Sequence, residues 1–425
     1  VSVLELSLER AVAGGRMLAR HEGVVVLTAG GIPGERVRAR VERSTASVIW
    51  ARVEDVIEPS AARRRPTADP LCGGMAYAHI AYGEQLRLKQ GILADAFRRI
   101  GRTSLEGVEL RPVESSPEQA YRLRARLHAR GGRVGFFREG THALCDAAAT
   151  GQLRTETVPA AEHAVALLGA RAGDVLSATV AENVAATERV VLLEIGDSAR
   201  VTDVAMRPID AGLGLTGVVV GVRGRARALA GAAHVTETAD TLFGGDLPVP
   251  AATRWVRQPG SFFQGNRFLT GALARAVTGL VEGDRVADLY AGVGLFAVTL
   301  AASGRRVLAI EGDRTAARDL ATNAEPFGER LEVERAPVEG AARALRPGVF
   351  DAVVLDPPRT GVSKEALDAV VRLRSPRLVY VSCDPATLAR DSARLTAAGY
   401  RLQLLHPFDL FPNTAHVECV SLFVR

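Results

Sequence analysis

Two residues near the C-terminus are of the types that a covalent catalyst needs. Cys383 stands in Val379-Tyr380-Val381-Ser382-Cys383-Asp384-Pro385, directly after an apolar run, and Glu418 stands in His416-Val417-Glu418-Cys419. A thiolate is a strong nucleophile whose pKa responds to its neighbours. Chemistry that needs both a thiol and a base is methylation at carbon 5 of a pyrimidine, because that carbon is too poor a nucleophile to take a methyl group directly. Thiolate addition at carbon 6 makes carbon 5 enolate-like. A base must later remove the carbon-5 proton so that elimination frees the enzyme, which combines covalent with general-base catalysis. Glu418 offers that base, with Asp409 and His416 as alternatives. Upstream, Asp356-Pro357-Pro358-Arg359-Thr360-Gly361 follows a second apolar run, Val353-Val354-Leu355. Its prolines stiffen the loop and fix whatever binds against it. Asp-Pro-Pro before an aromatic residue would suggest methylation of an exocyclic base amine, but Arg359 follows instead.

The same third of the chain offers a site for the methyl donor. Asp288-Leu-Tyr290-Ala-Gly292-Val-Gly294-Leu-Phe296 closes a strand and opens a helix. Gly292 and Gly294 let a ligand approach the backbone, and a helix start favours a negative group. The next strand ends at Ile310-Glu311-Gly312-Asp313, where an acidic residue can accept hydrogen bonds from ribose hydroxyls. These features indicate an adenosine-type cofactor, either a dinucleotide or S-adenosylmethionine. A full Gly-x-Gly-x-x-Gly is absent, since Ala297 stands at its last position, which favours S-adenosylmethionine.

The elements that must hold these residues are strands alternating with helices. Val286–Tyr290, Arg306–Ile310, Ala352–Leu355 and Leu378–Ser382 read as short apolar strands separated by alanine-rich helical stretches. That rhythm predicts an α/β, doubly wound, mostly parallel sheet over 255–425, and such sheets bind ligands at the carboxyl ends of their strands. Residues 1–57 carry short alternating runs between glycine turns and predict a small β-barrel. Residues 70–250 predict a central region that opens with helical periodicity over Tyr82–Ile100 and is mostly β from about 105 onward. Between Tyr121 and Arg138 there are six arginines and no acidic residue. Arg122, Arg124 and Arg126 alternate at strand spacing, so they share a face. Beside Phe136 and Phe137, such a row suits RNA phosphates and exposed bases.

Composition sets the frame. A hydrophobic share of 47% with 24% charged residues describes an ordinary globular protein that can bury several cores. No apolar run is long enough for a membrane span and no leader-like segment opens the chain, so a cytoplasmic protein without a membrane partner is expected. The four cysteines, at 72, 145, 383 and 419, show no paired spacing, which predicts a reducing compartment rather than a disulfide framework.

Taken together, the chain resembles the uracil-5 RNA methyltransferases, which use S-adenosylmethionine to make 5-methyluridine in tRNA and rRNA. The matching segments are Ser261-Phe-Phe-Gln264-Gly-Asn266, Asp288–Gly294, Asp356–Gly361, Ser382-Cys383-Asp384-Pro385 and Asp409–Glu418, in the family's order. The first 57 residues resemble the TRAM module, an RNA-binding β-barrel. The resemblance implies a class I S-adenosylmethionine methyltransferase fold, with Cys383 as nucleophile and Glu418 as the base. It implies that Gln264, Tyr290, Glu311 and Asp356 line the pocket for the cofactor and target base. It implies that the helix at about 84–100 packs on the catalytic region, and that the uridine is turned out of a tRNA or rRNA loop by a monomer. Many relatives hold an iron–sulfur cluster through a Cys-x5-Cys-Gly-Gly-Cys run plus a distant cysteine. Here only Cys72 of that run is present, and Cys145 is offset from the distant position, where Thr150 stands. No cluster and no metal ligand are therefore expected. Leu295 and Ala336 replace polar residues that often meet the cofactor. Two other readings stay open at this level: a cytosine-5 RNA methyltransferase, and a non-catalytic RNA-binding protein on a methyltransferase scaffold.

Overall fold

The computed structural model describes residues 2–196, 209, 213–222, 225–245 and 248–425. Its N-terminal part is a six-stranded sheet whose strands run Val3–Ser7, Arg36–Ser44, Val48–Glu58, Val24–Ala29, Met17–His21 and Arg10–Ala11 from edge to edge. Alternation builds it: Val37 and Ala39 are buried while Arg36, Arg38 and Arg40 face solvent and pair with acidic residues. A seven-stranded sheet follows, with Arg124–Arg130 and Val175–Glu182 near its middle and the helix Thr157–Ala166 against it.

In this second sheet Cys72 and Cys145 form a disulfide, which corrects the expectation of four unpaired cysteines. Seventy-three residues separate them, so only the fold could reveal the pairing: Cys72 is bridged to Arg138 and Cys145 lies opposite Phe136 on the neighbouring strand. Cys383 and Cys419 remain free.

The third sheet has eight strands in the order Leu331–Glu334, Arg306–Ile310, Arg285–Leu289, Ala352–Leu355, Arg377–Ser382, Glu418–Val424, Arg401–Phe408 and Glu109–Leu110. The first five are parallel. Helices cover both faces, so inner strands such as Ala352–Leu355 are buried throughout and read as continuous apolar runs. Glu418–Val424 inserts antiparallel between Arg377–Ser382 and Arg401–Phe408. The edge strand Glu109–Leu110 comes from ahead of the second sheet in sequence. Two residues with no alternation give no sequence signal, and its pairing was not expected. Among the described residues no helix is long and apolar enough to cross a membrane.

The helix Tyr82–Ala96 joins the first and third sheets. Leu88 and Ile92 belong to the core of the small sheet, whereas Leu93, Ala96 and Phe97 belong to a core of the large one. Gln85 and Lys89, one turn apart, point at the segment 409–413 instead. Lys89 Nζ is 2.5 Å from Asp409 Oδ1 and 3.1 Å from the Phe411 carbonyl, and both charged side chains are fully buried. Gln85 accepts from Asn413 N at 2.9 Å and donates to Asn413 Oδ1 at 2.9 Å. Asn413 itself holds a left-handed φ of 64°. A buried ion pair is no guarantee of stability, but removing one partner strands the other charge. Lys89→Met should therefore lower the unfolding free energy by about 3 kcal/mol or more. The double variant Lys89→Met/Asp409→Leu should recover most of that loss in denaturant titrations. A single variant as stable as the parent would show that the pair does not hold the segment.

Candidate active site

Cys383 and Glu418 are brought together by strand register. The antiparallel ladder ends with Ser382 opposite Cys419, so Cys383 and Glu418 are the next residues along the two chains, and the charge of Glu418 reaches the Cys383 thiol. Cys383 stands just before the helix Pro385–Ala397, whose N-cap Asp384 accepts from Thr387 N at 2.8 Å. A helix start favours a thiolate, yet burial pushes the Cys383 thiol up to about 12, and the charge of Glu418 pushes the same way. Arg359 opposes both. Burial also lifts the Glu418 carboxyl to about 8, with the charge of Asp356 adding to it and Arg359 again opposing. In the resting protein the thiol therefore keeps its proton, and Glu418 titrates near neutral pH, where a general base is most useful.

Asp409 is not available as the base. Its carboxyl is fully buried against Lys89, so the sequence-level alternative is corrected: the residue anchors the segment leading to Glu418. His416 is exposed at the rim, its ring 6.2 Å from that of Phe411.

The residues assigned to the cofactor pocket meet at the same strand ends. Gln264 Nε2 donates to Asp356 Oδ2 at 3.2 Å, and burial raises that carboxyl to about 7. The loop carrying Gln264 is pinned at several points. Ser261 Oγ donates to Asp319 at 2.5 Å, Asn266 Nδ2 donates to Ser116 Oγ at 2.8 Å and to the Leu410 carbonyl at 3.1 Å, and Arg267 pairs with buried Glu182. Tyr290 takes a left-handed φ of 64°, which is strained for a side chain of its size, and its hydroxyl donates to Glu339 at 3.2 Å. Gly294, at φ +94°, leaves no room for a Cβ, which would lie 2.7 Å from Leu320 Cδ1. Around Gly292 the space is open, with the Phe262 carbonyl 4.0 Å from where a Cβ would be. Glu311 accepts from Gly292 N at 2.7 Å and from Asp313 N at 2.6 Å, and its carboxyl is raised by burial. Both oxygens keep lone pairs for a ligand hydroxyl.

Asp288, to which its position in the sequence assigned no role, lies fully buried beneath this turn. Neither of its oxygens makes a full hydrogen bond among the described residues, and burial with the charges of Asp356 and Glu311 holds its carboxyl well above the usual range. Asp288, Glu311, Asp356 and Glu418 thus form a chain of carboxyl groups that raise one another. A ligand with an ammonium and a sulfonium would relieve that repulsion, whereas a dinucleotide pyrophosphate would add to it. S-adenosylmethionine fits this donor set. Leu295 and Ala336 pack with the apolar cores on the two sides of the sheet.

The arginine row takes a different form from the open one expected. Arg122, Arg124 and Arg126 do share a face, alternating with buried Leu123 and Ala125, but each has an internal partner. Arg124 is half-buried and donates to the Pro259 carbonyl at 3.1 Å, and Arg126 pairs with Glu194 at 2.6 Å. Arg122 donates to Gln152 Oε1 at 2.7 Å and stands 5.5 Å from the ring of Phe136 and 5.6 Å from that of Phe411. Through its bridge to Asn266 it is the member of the row tied to the Gln264 loop.

The family described as tRNA (Uracil-5-)-methyltransferase matches residues 252–425. A 23S rRNA (uracil(1939)-C(5))-methyltransferase RlmD of Pseudomonas syringae pv. tomato is 32% identical over 437 residues, covering 98% of this chain and 93% of the relative. An uncharacterized RNA methyltransferase of Streptomyces avermitilis is 32% identical, covering 96% and 95%. The fold matches that of the Pyrococcus abyssi tRNA (uracil-54, C5)-methyltransferase, solved with S-adenosyl-L-homocysteine, with a TM-score of 0.72, 24% identity and coverage of 99% and 100%.

The raised carboxyl of Glu418 can be tested without any substrate. As pH rises from about 4 to 8, the unfolded state releases this proton while the folded state keeps it, so folding stability falls across that window. Glu418→Gln removes the effect. The variant should melt close to the parent at pH 4.5 and clearly above it at pH 8. A melting difference that is the same at both pH values would show that Glu418 is not raised.

Proposed function

The chain belongs to the uracil-C5 RNA methyltransferase family, and we propose that it methylates carbon 5 of a uridine in rRNA or tRNA through a covalent adduct on Cys383, with Glu418 as the base. The observation that carries this reading is the ladder register that sets Cys383 against Glu418 beside the carboxyl-rich pocket. S-adenosylmethionine, when bound, supplies an electrophilic methyl group. The Gly292–Gly294 turn, Glu311, Tyr290, Gln264 and Asp356 would hold it.

Each chemical step falls to a residue placed for it. Cys383 gives up its proton to a carboxylate of the cluster, and the positive charge of Arg359 favours the thiolate. The sulfur adds to carbon 6 of uracil, and the electron pair of the carbon 5–carbon 6 bond moves towards the carbon-4 oxygen. Carbon 5 then takes the methyl group. Glu418 removes the carbon-5 proton, the double bond re-forms, and the sulfur leaves as thiolate. Burial of Glu418 strengthens its electrostatic interactions with these groups.

The remaining assignments follow from this reading. Residues 1–57 act as an RNA-binding module, 70–250 as a central unit and 255–425 as the catalytic unit. Arg122 lies nearest the reacting residues of the arginine row and contributes to RNA contact, with Arg124 and Arg126 shaping the same face. An RNA substrate of this class places the work in the cytoplasm, with the protein acting as a monomer. Cysteine usage no longer argues for that compartment, since Cys72 and Cys145 are paired.

Cys383→Ala should abolish methyl transfer from labelled S-adenosylmethionine while S-adenosylhomocysteine binding by calorimetry stays near the parent value. Nucleoside mass spectrometry of treated RNA should show 5-methyluridine. Retained turnover in the variant, or 5-methylcytidine as product, would overturn the assignment. The base must be deprotonated to work, so kcat/KM should rise with pH through about 8. A profile flat between pH 6 and 9 would remove Glu418 from that role.

A further inference from the structure

A cleft of about 340 Å³ shares Tyr290 with the proposed cofactor site, and its other lining residues have no part in the proposed chemistry. Tyr290 and the end of the Asp356–Gly361 loop form one wall, and the start of the helix Lys364–Leu373 with the middle of Pro385–Ala397 forms the other. Its charged lining is Glu339, Lys364, Arg390 and Arg394. Arg390 is neutralised from behind by Asp391, to which it donates at 2.8 Å, and Glu339 accepts from the Tyr290 hydroxyl. Lys364 and Arg394 are exposed and make no ion pair among the described residues.

Some surface arginines, such as Arg36, Arg38, Arg40 and Arg306, are matched to carboxylates; Lys364 and Arg394 are among the cations that are not, and these two share one cleft. The unmatched charge extends towards the reacting residues. Arg359 stands between the lining residues Pro358 and Thr360, is exposed, and makes no ion pair among the described residues either. It lies close enough to act on both Cys383 and Glu418. Gly361 fixes the loop between them at φ +75°, where a Cβ would lie 2.5 Å from Arg390.

We propose that this cleft binds the phosphodiester backbone of the RNA next to the target uridine, with Lys364 and Arg394 as the cations that neutralise it. A cleft walled by two unmatched cations, with Arg359 in the adjoining loop acting on both Cys383 and Glu418, suits a phosphate of the same strand, which must pass close by once its base is turned inward. The inference rests on the RNA-methylation reading, but it concerns binding and can fail separately.

The test is fluorescence anisotropy of a labelled 20-nucleotide oligouridylate with the full chain and with Lys364→Ala/Arg394→Ala, over a range of potassium chloride concentrations. Each lost phosphate contact lowers the slope of log affinity against log salt by about 0.7 on a single strand. The double variant should lose affinity at low salt and show a slope smaller by about 1.4. Its binding of S-adenosylhomocysteine, and its kcat at saturating RNA, should match the parent. An unchanged slope would overturn the inference while leaving the methylation reading intact. Weakened S-adenosylhomocysteine binding would overturn it by assigning the cleft to the cofactor. A normal slope change in a parent protein that transfers no methyl group to any RNA would instead sustain the backbone contact and remove the proposed reaction.

Discussion

The site depends on one register: Ser382 opposite Cys419 in an antiparallel pair set into a parallel sheet. A one-residue slip in a ladder turns every side chain to the other face. It would place Cys419 beside Cys383 and swing Glu418 out of reach. The register is held by burial on both faces, since Val379, Val381, Val420 and Leu422 sit in one core and Leu378, Tyr380, Cys419 and Phe423 in the other. The two residues of the proposed reaction come from elements 35 positions apart in sequence. They meet because the last strand returns antiparallel at the point where the parallel strands end.

The segment that feeds this strand carries a second constraint. Residues 409–413 are tied by Lys89, Gln85 and the backbone of Tyr77, all from a part of the chain that precedes the second sheet. Asp409 in particular exchanges a catalytic possibility for a structural one. What remains around Cys383 is a set of carboxyl groups held above their usual range by burial, with Arg359 as the opposing charge. Such a pocket is poised for a cationic ligand, and its protonation state should follow whatever binds there.

Much of this was legible in the sequence, and the exceptions have physical reasons. The parallel strands were readable because two-sided burial leaves continuous apolar runs such as Ala352–Leu355. The glycine turn was readable because close approach to the backbone demands glycine, and Gly294 indeed has no space for a Cβ. The antiparallel insertion of Glu418–Val424 was not, since a strand buried on both faces has the same apolar pattern in either direction. Lys89 was hidden within a helix whose neighbours on three sides differ, so no single face stands out. The disulfide was missed because spacing in sequence says nothing about two cysteines joined by fold. The arginine row had the right alternation, but sequence could not show that Pro259 and Glu194 would take up two of its members.

In the proposed order of events on one base, Cys383 bonds to carbon 6, carbon 5 is methylated, and Glu418 then completes the reaction. Mass spectrometry of the covalent species that accumulates when Glu418→Gln is incubated with substrate RNA and S-adenosylmethionine tests that order. The expected species is a uridine linked to the peptide containing Cys383 and already carrying the added methyl group. An adduct at any other residue, an adduct without the methyl group, or no adduct with methylation proceeding at the parent rate would contradict it.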